Sequence, residues 1–296
     1  MKEKSRLIII DSNSIIHRAF HALPPLTTKK GEVVGAVYGF LLVFLKAIKE
    51  FQPDFVAACF DVKGPTFRHE KYKEYKAKRP RAPDELYQQI PIVKDVLKSF
   101  SVVVFERQGF EADDLIGTIA RIVPTPHQKN GGGPEIESII LSGDSDNLQL
   151  VNAHTKVYTL RKGVKDTVLY DEKLVEEKYH GLKPKQLVDY RALRGDPTDN
   201  IPGVPGIGEK TATELIKEFG TLEKVYDNLP LINTKTREKL IQHKEEAFFS
   251  RELSEIYKNV PLDFNLQECR WENYHKEKAA QALKNLDFYS LINRLP

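Results

Sequence analysis

The chain has very few cysteines and no long hydrophobic run. Cys59 and Cys269 are the only cysteines in 296 residues and fit no Cys-x-x-Cys pattern. This excludes a disulfide framework and a zinc ribbon, and it fits a reducing compartment. The longest mostly apolar stretch, residues 36–45, is far shorter than the roughly 20 residues that a membrane-spanning helix needs. No signal-peptide pattern is visible, so we expect a cytoplasmic protein that does not contact membranes.

A large excess of charge of one sign is also missing. The chain has 45 Lys and Arg against 42 Asp and Glu, a formal net charge of +3, which says little about partners. Hydrophobic residues make up 41%, enough for folded cores and too many for disorder. The length fits one large domain or two ordinary ones. What distinguishes this chain is the uneven placement of its charges.

Motifs of several other enzyme classes are absent or incomplete. There is no GxGxxG, Walker or GxSxG motif. His17 and His21 have the i, i+4 spacing of a zinc helix, but no Glu lies between them as a base and no third ligand is evident. We interpret them as packing or phosphate-contacting residues. Asp144-Ser145-Asp146 resembles a small-molecule phosphatase motif, but it follows the fourth predicted strand instead of the first.

The first half alternates short apolar runs with amphipathic segments. Residues 37–51 have the 3.6-residue apolar period of a helix, and further helices are expected at residues 85–100 and from about residue 112. This alternation predicts an α/β fold with a largely parallel central sheet and flanking helices. Residues 124–134 have loop chemistry and are expected to form a mobile insertion. The predicted strands are residues 7–10, 55–60, 102–105, 139–141 and 157–160.

The second half is predicted to be helical. Strand signals fade after about residue 172, and Gly- and Pro-rich turns separate the apolar periodic segments. We place a domain boundary near residue 173, between an α/β domain (1–173) and a helical region (174–296). The predicted helices of this region are residues 185–193, 209–219, 236–259 and 276–295.

Acidic residues follow four of the predicted strands. Ligands of open parallel sheets bind at the carboxyl ends of the strands, so these side chains should converge on one edge. Taken singly, each acid is explained equally well by the local preference of Asp for strand ends and helix N-caps. The seven residues are Asp11, Asp61, Glu111, Asp113, Asp114, Asp144 and Asp146.

As a set, the seven acids point to metal ions. Without matching cations, they would repel one another by about 4 kcal/mol per pair at 4 Å and an effective dielectric near 20. Such a cluster persists when protons or metal ions neutralise it. All-oxygen ligands suit Mg²⁺ or Mn²⁺ better than zinc. Two such ions, about 4 Å apart, can activate water and stabilise the leaving oxygen of a phosphodiester.

A basic stretch with interleaved aromatic rings begins two residues after Asp61. Many basic runs are solvated helix faces, but cations combined with stacking rings suit a single-stranded nucleic acid. Lys76 and Arg79 lie three residues apart and would share one face of a helix, where they could stabilise transition-state charge. The cations of this stretch, residues 63–81, are Lys63, Arg68, Lys71, Lys73, Lys76, Lys78, Arg79 and Arg81, and its rings are Phe67, Tyr72 and Tyr75.

A glycine-rich turn precedes a predicted helix in the sequence DNIPGVPGIGEKTATELI. An ordinary turn would explain it, but the GxGEK-helix arrangement is typical of a helix–hairpin–helix motif, here at about residues 185–220. Glycines allow close approach of the backbone to a ligand, and the helix N-terminus favours a phosphate. The predicted DNA contacts here are Gly203, Gly206, Gly208, Lys210 and Thr211, and the carboxylates of Asp196 and Asp199 lie just upstream.

These motifs together resemble the 5′-nuclease (flap endonuclease) family, in particular the N-terminal 5′→3′ exonuclease domains of bacterial polymerases of the polymerase I type. The resemblance spans nearly the whole chain and rests on CFD, FRHEKYKEYKAKRP, QGFEADDLIGT, LSGDSDNLQL and LRGDPTDNIPGVPGIGEKTA. It implies metal roles for nine carboxylates, with Asp114 and Asp196 as supporting residues. The nine are Asp11, Asp61, Glu111, Asp113, Asp114, Asp144, Asp146, Asp196 and Asp199.

The resemblance also implies roles for basic residues and a cofactor. Tyr75, Lys76 and Arg79 match a helical arch (the arch segment, about residues 63–95), to which Arg68 and Lys73 belong as DNA-binding residues. Arg18 matches a basic residue near the scissile phosphate. Two or more Mg²⁺ or Mn²⁺ ions are implied, and a monovalent cation at the helix–hairpin–helix is a further expectation.

The implied activity is structure-specific hydrolysis of DNA near free 5′ ends. Expected substrates are branched, nicked or 5′-flap duplexes and RNA primers in duplex, in lagging-strand maturation and repair. A monomer is expected, and fusion to a DNA polymerase stays open. Two alternatives remain from the residues themselves, a DNA-junction binding protein without catalysis and a related metal-dependent ribonuclease.

Overall fold

A six-stranded sheet lies at the centre of the chain, in the order β3-β2-β1-β4-β5-β6. The computed structural model describes residues 4–123, 135–161, 163–164 and 166–296, so the predicted insertion at residues 124–134 lies outside the described residues. The strands are β1 (Ser5–Asp11), β2 (Phe55–Phe60), β3 (Val103–Glu106), β4 (Ile136–Ser142), β5 (Thr155–Leu160) and β6 (Thr167–Tyr170).

The sheet is parallel from β1 to β5, which confirms the predicted fold class. Its register pairs Asp11 with Cys59 and Ile10 with Leu141, so β1, β2 and β4 end at the same edge. The antiparallel strand β6, which pairs with β5, was not predicted. Its four residues, TVLY, are mostly half-buried, and an antiparallel strand at the edge of a parallel sheet is a common arrangement.

Helices cover both faces of the sheet and form most of the second half. Those of the first half confirm the predicted segments, although α1 was not predicted. The predicted helices 236–259 and 276–295 are each split in two. The helices are α1 (Ser12–Ala22), α2 (Gly35–Phe51), α3 (Phe67–Lys71), α4 (Asp84–Ser99), α5 (Ala112–Ile122), α6 (Glu172–Lys178), α7 (Leu187–Arg194), α8 (Glu209–Phe219), α9 (Leu222–Asp227), α10 (Thr234–Gln242), α11 (Lys244–Ser254), α12 (Lys276–Asn285) and α13 (Tyr289–Ile292).

Two hydrophobic cores lie on the two faces of the sheet. Alternate residues of β1 supply both, since Leu7 belongs to one core and Ile8 to the other, as the two-residue period of a strand requires. Leu283 of α12 belongs to the core that α2 and α4 form with the sheet. The end of the chain therefore returns to the α/β layer, and the domain boundary near residue 173 stays a prediction.

The arch segment is helical only in part. It contains the short helix α3 and the first turns of α4, and the backbone between them runs through turns and two prolines, Pro80 and Pro83. Lys76 has a left-handed backbone, with φ of 55°, and its N–H donates to the carbonyl of Asp199 (2.9 Å). The prediction that Lys76 and Arg79 share a helix face is therefore wrong. None of the described helices has the length and apolar character that crossing a bilayer requires.

Candidate active site

A cavity of about 790 Å³ opens at the carboxyl edge of the sheet. It confirms that the acids following separate strands converge, because the parallel strands end side by side. Eight of the nine predicted metal-binding acids line it, together with Arg18, Lys76 and Arg79. The eight are Asp11, Asp61, Glu111, Asp113, Asp144, Asp146, Asp196 and Asp199.

Local backbone geometry fixes the first acids. Asp11 ends β1 and caps α1, because its carboxylate accepts a hydrogen bond from the N–H of Ser14 (3.3 Å). Asp61 follows β2 and accepts from the N–H of Ala112 at the start of α5 (2.7 Å). That bond brings the N-terminus of α5 to the cavity, where its first turn presents Asp113.

Two buried polar residues that sequence reasoning missed hold the carboxylates in place. The Ser142 hydroxyl donates to Asp11 Oδ2 (2.6 Å) and accepts from the N–H of Asp144 (2.9 Å). Asn147 Nδ2 donates to Asp113 Oδ1 (2.7 Å). Ser142 and Asn147 are fully buried, and their positions within the LSGDSDN motif were the only sequence signal for them.

Burial and mutual repulsion raise the pKa values of part of the acidic cluster. Burial raises the pKa of Asp11 to about 6, against the hydrogen bonds from Ser142 and Ser14. Burial also raises the pKa of Asp146 to about 7, with Arg191 opposing and Asp144 adding to the increase. The pKa of Asp113 lies well above its usual value because of burial and the neighbouring Asp11 and Asp144. This is the electrostatic state expected of a carboxylate cluster that bound cations would relieve.

Two cations of the arch segment reach the other side of the cluster. Lys76 Nζ lies 2.8 Å from Glu111 Oε1 and 3.8 Å from Asp199 Oδ2, and Arg79 forms an ion pair with Asp199. Although burial opposes it, Lys76 and Arg68 lower the pKa of Glu111. The buried Tyr75 hydroxyl donates to Glu111 (3.2 Å) and Asp199 (3.3 Å). The structure therefore brings Tyr75, Lys76 and Arg79 to the carboxylates, as expected.

Arg191 is a further cation at the cluster, and no motif or spacing pointed to it. It lies on α7, is 6% exposed and forms an ion pair with Asp146. One of its terminal nitrogens, Nη1, is buried without a hydrogen-bond partner among the described residues. Arg191 links the helical region to the carboxylate cavity.

The predicted DNA contact of Arg68 is wrong, and Asp114, which was expected to support the metal site, lies too deep to bind an ion directly. Asp114 is fully buried, and its two oxygens accept from both terminal nitrogens of Arg68, each at 2.8 Å. The N–H groups of Glu111 (3.1 Å) and Tyr257 (2.9 Å) also donate to it. Arg68 is 3% exposed and also donates to the carbonyl of Leu253 (3.0 Å). Asp114 has no room for a metal ion, and Arg68 has none for DNA.

The glycines of the hairpin have different environments. Gly203 has φ of +63°, and a Cβ there would lie 2.2 Å from the backbone nitrogen of Gly195. Its close approach is to the chain itself, so its predicted DNA contact is wrong. The carbonyl of Gly206 accepts from Lys239 Nζ (2.7 Å). Gly208 caps α8, and a Cβ there would meet nothing within 4 Å.

The remaining predicted contacts lie at accessible positions. Lys73 and Lys210 are exposed and Thr211 is half-buried. Arg18 lines the cavity, where its Nη2 donates to the carbonyls of Leu160 (3.0 Å) and Gly143 (3.3 Å). His17 and His21 line the same cavity.

The donor set of the cavity fits hard divalent cations. Its carboxylates supply only oxygen, which Mg²⁺ and Mn²⁺ prefer, and within the described chain Asp11, Asp113 and Asp144 form no ion pair with a basic side chain. No group of three His, Cys, Asp or Glu side chains among the described residues is already drawn together around one point as for a bound ion. Glu111, Asp146 and Asp199 are instead paired with Lys76, Arg191 and Arg79.

Comparison with known proteins gives matches over nearly the whole chain. Residues 6–180 match the family model described as "5'-3' exonuclease, N-terminal resolvase-like domain". Residues 182–277 match the model "5'-3' exonuclease, C-terminal SAM fold". DNA polymerase I of Caldicellulosiruptor bescii is 42% identical over 98% of this chain, and that of Bacillus subtilis is 38% identical over 100%. The chain spans 33% of the length of each of these relatives.

Solved structures of nucleases share the fold. Bacteriophage T5 5′-exonuclease with bound zinc has a TM-score of 0.68 at 21% identity, over 98% of this chain and 96% of that one. T5 flap endonuclease in a complex with DNA and metal ions has a TM-score of 0.70 at 20% identity, over 95% and 99%. The catalytic core of Rad2 in complex with DNA substrate has 0.59 at 19%, over 99% and 93%. At these identities the likeness establishes the fold.

Proposed function

The chain belongs to the 5′-3′ exonuclease family, and from that premise we propose that it hydrolyses phosphodiester bonds of DNA near free 5′ ends. It does so as a 5′→3′ exonuclease and as a flap endonuclease. The observation that carries this proposal is the single cavity in which eight carboxylates from separate strands and helices meet Lys76 and Arg79.

Mg²⁺ or Mn²⁺ is the proposed cofactor, in two or more sites. When bound, the ions supply an activated water and stabilise the leaving oxygen. The residues proposed to hold them are those that line the cavity, without the buried Asp114. Ser142 and Asn147 orient Asp11 and Asp113 for this purpose by the hydrogen bonds described above. The proposed ligands are Asp11, Asp61, Glu111, Asp113, Asp144, Asp146, Asp196 and Asp199.

Lys76 and Arg79 are proposed to bind the phosphate at which the chain is cut. Although burial opposes it, the carboxylate of Glu111 raises the pKa of Lys76 above its usual value, so Lys76 stays charged at neutral pH and cannot be a general base. A fixed cation beside the reacting phosphate stabilises the charge of the transition state. Tyr75 orients Glu111 and Asp199 through its hydroxyl, and Arg18 supplies a further positive charge at the cavity.

DNA outside the cavity is proposed to contact the helix–hairpin–helix and the exposed part of the arch segment. The N-terminus of α8 beside Gly208 presents free N–H groups that suit a phosphate, and Lys210 and Thr211 follow it. Such contacts set position without reading sequence. Lys73 adds an exposed charge in the arch segment. A monovalent cation at the hairpin stays a prediction.

The proposed substrates are nicked, branched and 5′-flap duplexes, including RNA primers in duplex, in lagging-strand maturation and repair. The relatives that carry this segment are DNA polymerases three times as long, which supports fusion to a polymerase as the natural setting. Action as a monomer and a cytoplasmic location complete the proposal.

The test is cleavage of a 5′-flap duplex in Mg²⁺ or in EDTA, with Asp144→Asn as the variant. We expect cleavage only with Mg²⁺, and a loss on the order of 10² to 10³ in rate for Asp144→Asn with DNA affinity retained. The exposed Asp263, which neither lines the cavity nor belongs to the arch segment, provides the control Asp263→Asn, which should cut normally. Equal cleavage in EDTA, or full activity of Asp144→Asn, would contradict the proposal. Preference for RNA-only hairpins would support the ribonuclease alternative.

A further inference from the structure

The active-site cavity has a second end that the proposed chemistry does not use. In the strand order, β5 and β6 lie on the opposite side of β1 from β2 and β3. The cavity extends to these strands and to α6, where Leu160, Arg161, Tyr170 and Lys178 line it. This end, which we call the β6 end, therefore lies away from the arch segment that follows β2.

Two cations face the β6 end. Arg161 directly follows β5, and Lys178 is the last residue of α6. The Lys178 ammonium lies 5.0 Å from the ring centroid of Tyr170 and 5.5 Å from that of Tyr179. Cation–π contacts of this kind favour one position of an otherwise flexible side chain. Lys178 is therefore held at the cavity before any ligand arrives.

Like Arg18, and unlike Lys76, Arg79 and Arg191, these two cations have no acidic partner among the described residues. Lys76, Arg79 and Arg191 are all paired with carboxylates of the cluster. Over the part of the chain that the structure describes, Arg161 and Lys178 form no ion pair. The pKa of Lys178 is lowered by burial and then by the positive charges of Arg191 and Arg161. Cations gathered without a counter-charge attract an anion.

We propose that Arg161 and Lys178 bind a phosphate of the DNA substrate other than the one that is cut. The inference rests on the proposed function, since it assumes that DNA enters the cavity. The cavity is continuous from Lys76 and Arg79 to the β6 end, so one strand can contact both. Backbone phosphates carry no sequence information, so this contact sets the position of the strand along the sheet edge.

A salt titration of DNA binding tests the charge contact. Lys178→Gln should weaken binding of a 5′-flap duplex by about tenfold at low salt and reduce the slope of log K against log salt by about 1. Lys173→Gln is the matched control, because Lys173 lies on the same helix, is exposed and does not line the cavity. It should leave affinity and slope unchanged. Unchanged affinity and slope for Lys178→Gln would overturn the proposal.

A series of flap duplexes, each with one neutral methylphosphonate, then identifies the phosphate. With the unaltered chain, one position beside the cut should weaken binding by about tenfold. With Lys178→Gln, a methylphosphonate at that position should cause almost no further loss of affinity. Arg161→Gln should abolish the effect of the methylphosphonate at the same position. If every position causes the same loss in the variants as in the unaltered chain, the cations bind no substrate phosphate.

The two proposals can fail separately. Mg²⁺-dependent cleavage of the unmodified flap by the unaltered chain tests the proposed function alone. If the chain cuts the flap, but the variants lose affinity at every methylphosphonate position as the unaltered chain does, only the phosphate site is overturned. If the methylphosphonate effect disappears in the variants but the unaltered chain does not cut, the phosphate site is supported and the proposed nuclease activity is contradicted.

Discussion

Two arginines of the same basic stretch form ion pairs of opposite character. The Arg68 and Asp114 side chains are 3% and 0% exposed, and we call them the closed pair. The Arg79 and Asp199 side chains are 42% and 7% exposed, and we call them the open pair. Both acids come from motifs that were predicted to bind metal.

The difference is one of burial, which separates charges that only hold elements together from charges that solvent and ligands can reach. In the closed pair, the guanidinium of Arg68 also donates to the carbonyls of Leu253 and Glu255, so it joins α3, α5 and the C-terminal end of α11. Neither Arg68 nor Asp114 can bind a ligand without breaking the contacts between these elements. In the open pair, solvent reaches Arg79, which leaves both side chains accessible for the proposed roles of Asp199 as a metal ligand and Arg79 as a phosphate contact.

The largest effect is expected from breaking the closed pair. Arg68→Ala leaves the Asp114 carboxylate buried and unpaired, which should lower the free energy of unfolding by about 3–5 kcal/mol in a urea titration. Removing both charges, as in Arg68→Met with Asp114→Leu, should recover much of that loss. Arg79→Ala should change stability by no more than about 1 kcal/mol. A small effect of Arg68→Ala would show that the two pairs do not differ as described.

A smaller effect, on the rate of cleavage instead of on stability, is expected for Lys76, which lies beside the open pair. Lys76→Ala should slow single-turnover cleavage at saturating enzyme by a factor on the order of 10², with only modest loss of affinity, because it removes a cation that acts in the transition state. The exposed Lys63 at the edge of the basic stretch is the comparison. Lys63→Glu should mainly change DNA binding and its salt slope. A normal rate for Lys76→Ala with saturated DNA would mean that the basic stretch is only a charged surface.

The smallest effects on cleavage and DNA binding are expected in the hairpin, where the same contrast recurs between Gly203 and Gly208. Gly203→Ala adds a Cβ 2.2 Å from a backbone atom at a positive φ, and the backbone strain alone should cost roughly 1–3 kcal/mol of stability. Gly208→Ala adds a Cβ in open space and should leave the melting temperature unchanged while weakening DNA binding severalfold, about equally for all sequences. Unchanged DNA affinity of Gly208→Ala would remove Gly208 from the proposed contact.

Much of the fold and of the carboxylate site could be predicted because the signals are local. Five strands were recognised from short β-branched runs, and the strand ends located six of the eight acids that line the cavity. The four-residue β6 was not recognised although its sequence, TVLY, is mostly apolar, and the division of residues 236–259 into two helices depends on packing. Ser142 and Asn147 were missed because their hydrogen bonds are defined only once β1, α5 and β4 are assembled.

The sequence by itself determined the family, the sheet, and the placement of acids at the ends of its strands, because these follow from periodicity and from motif residues that are neighbours in the chain. Tertiary structure alone decided which charges are available for function. Arg68 and Asp114 are 46 positions apart, and Arg191 and Asp146 are 45 apart. Pairing and burial over such separations depend on how α5, α7 and the chain after α11 pack, and the free energy of a charge depends on that environment.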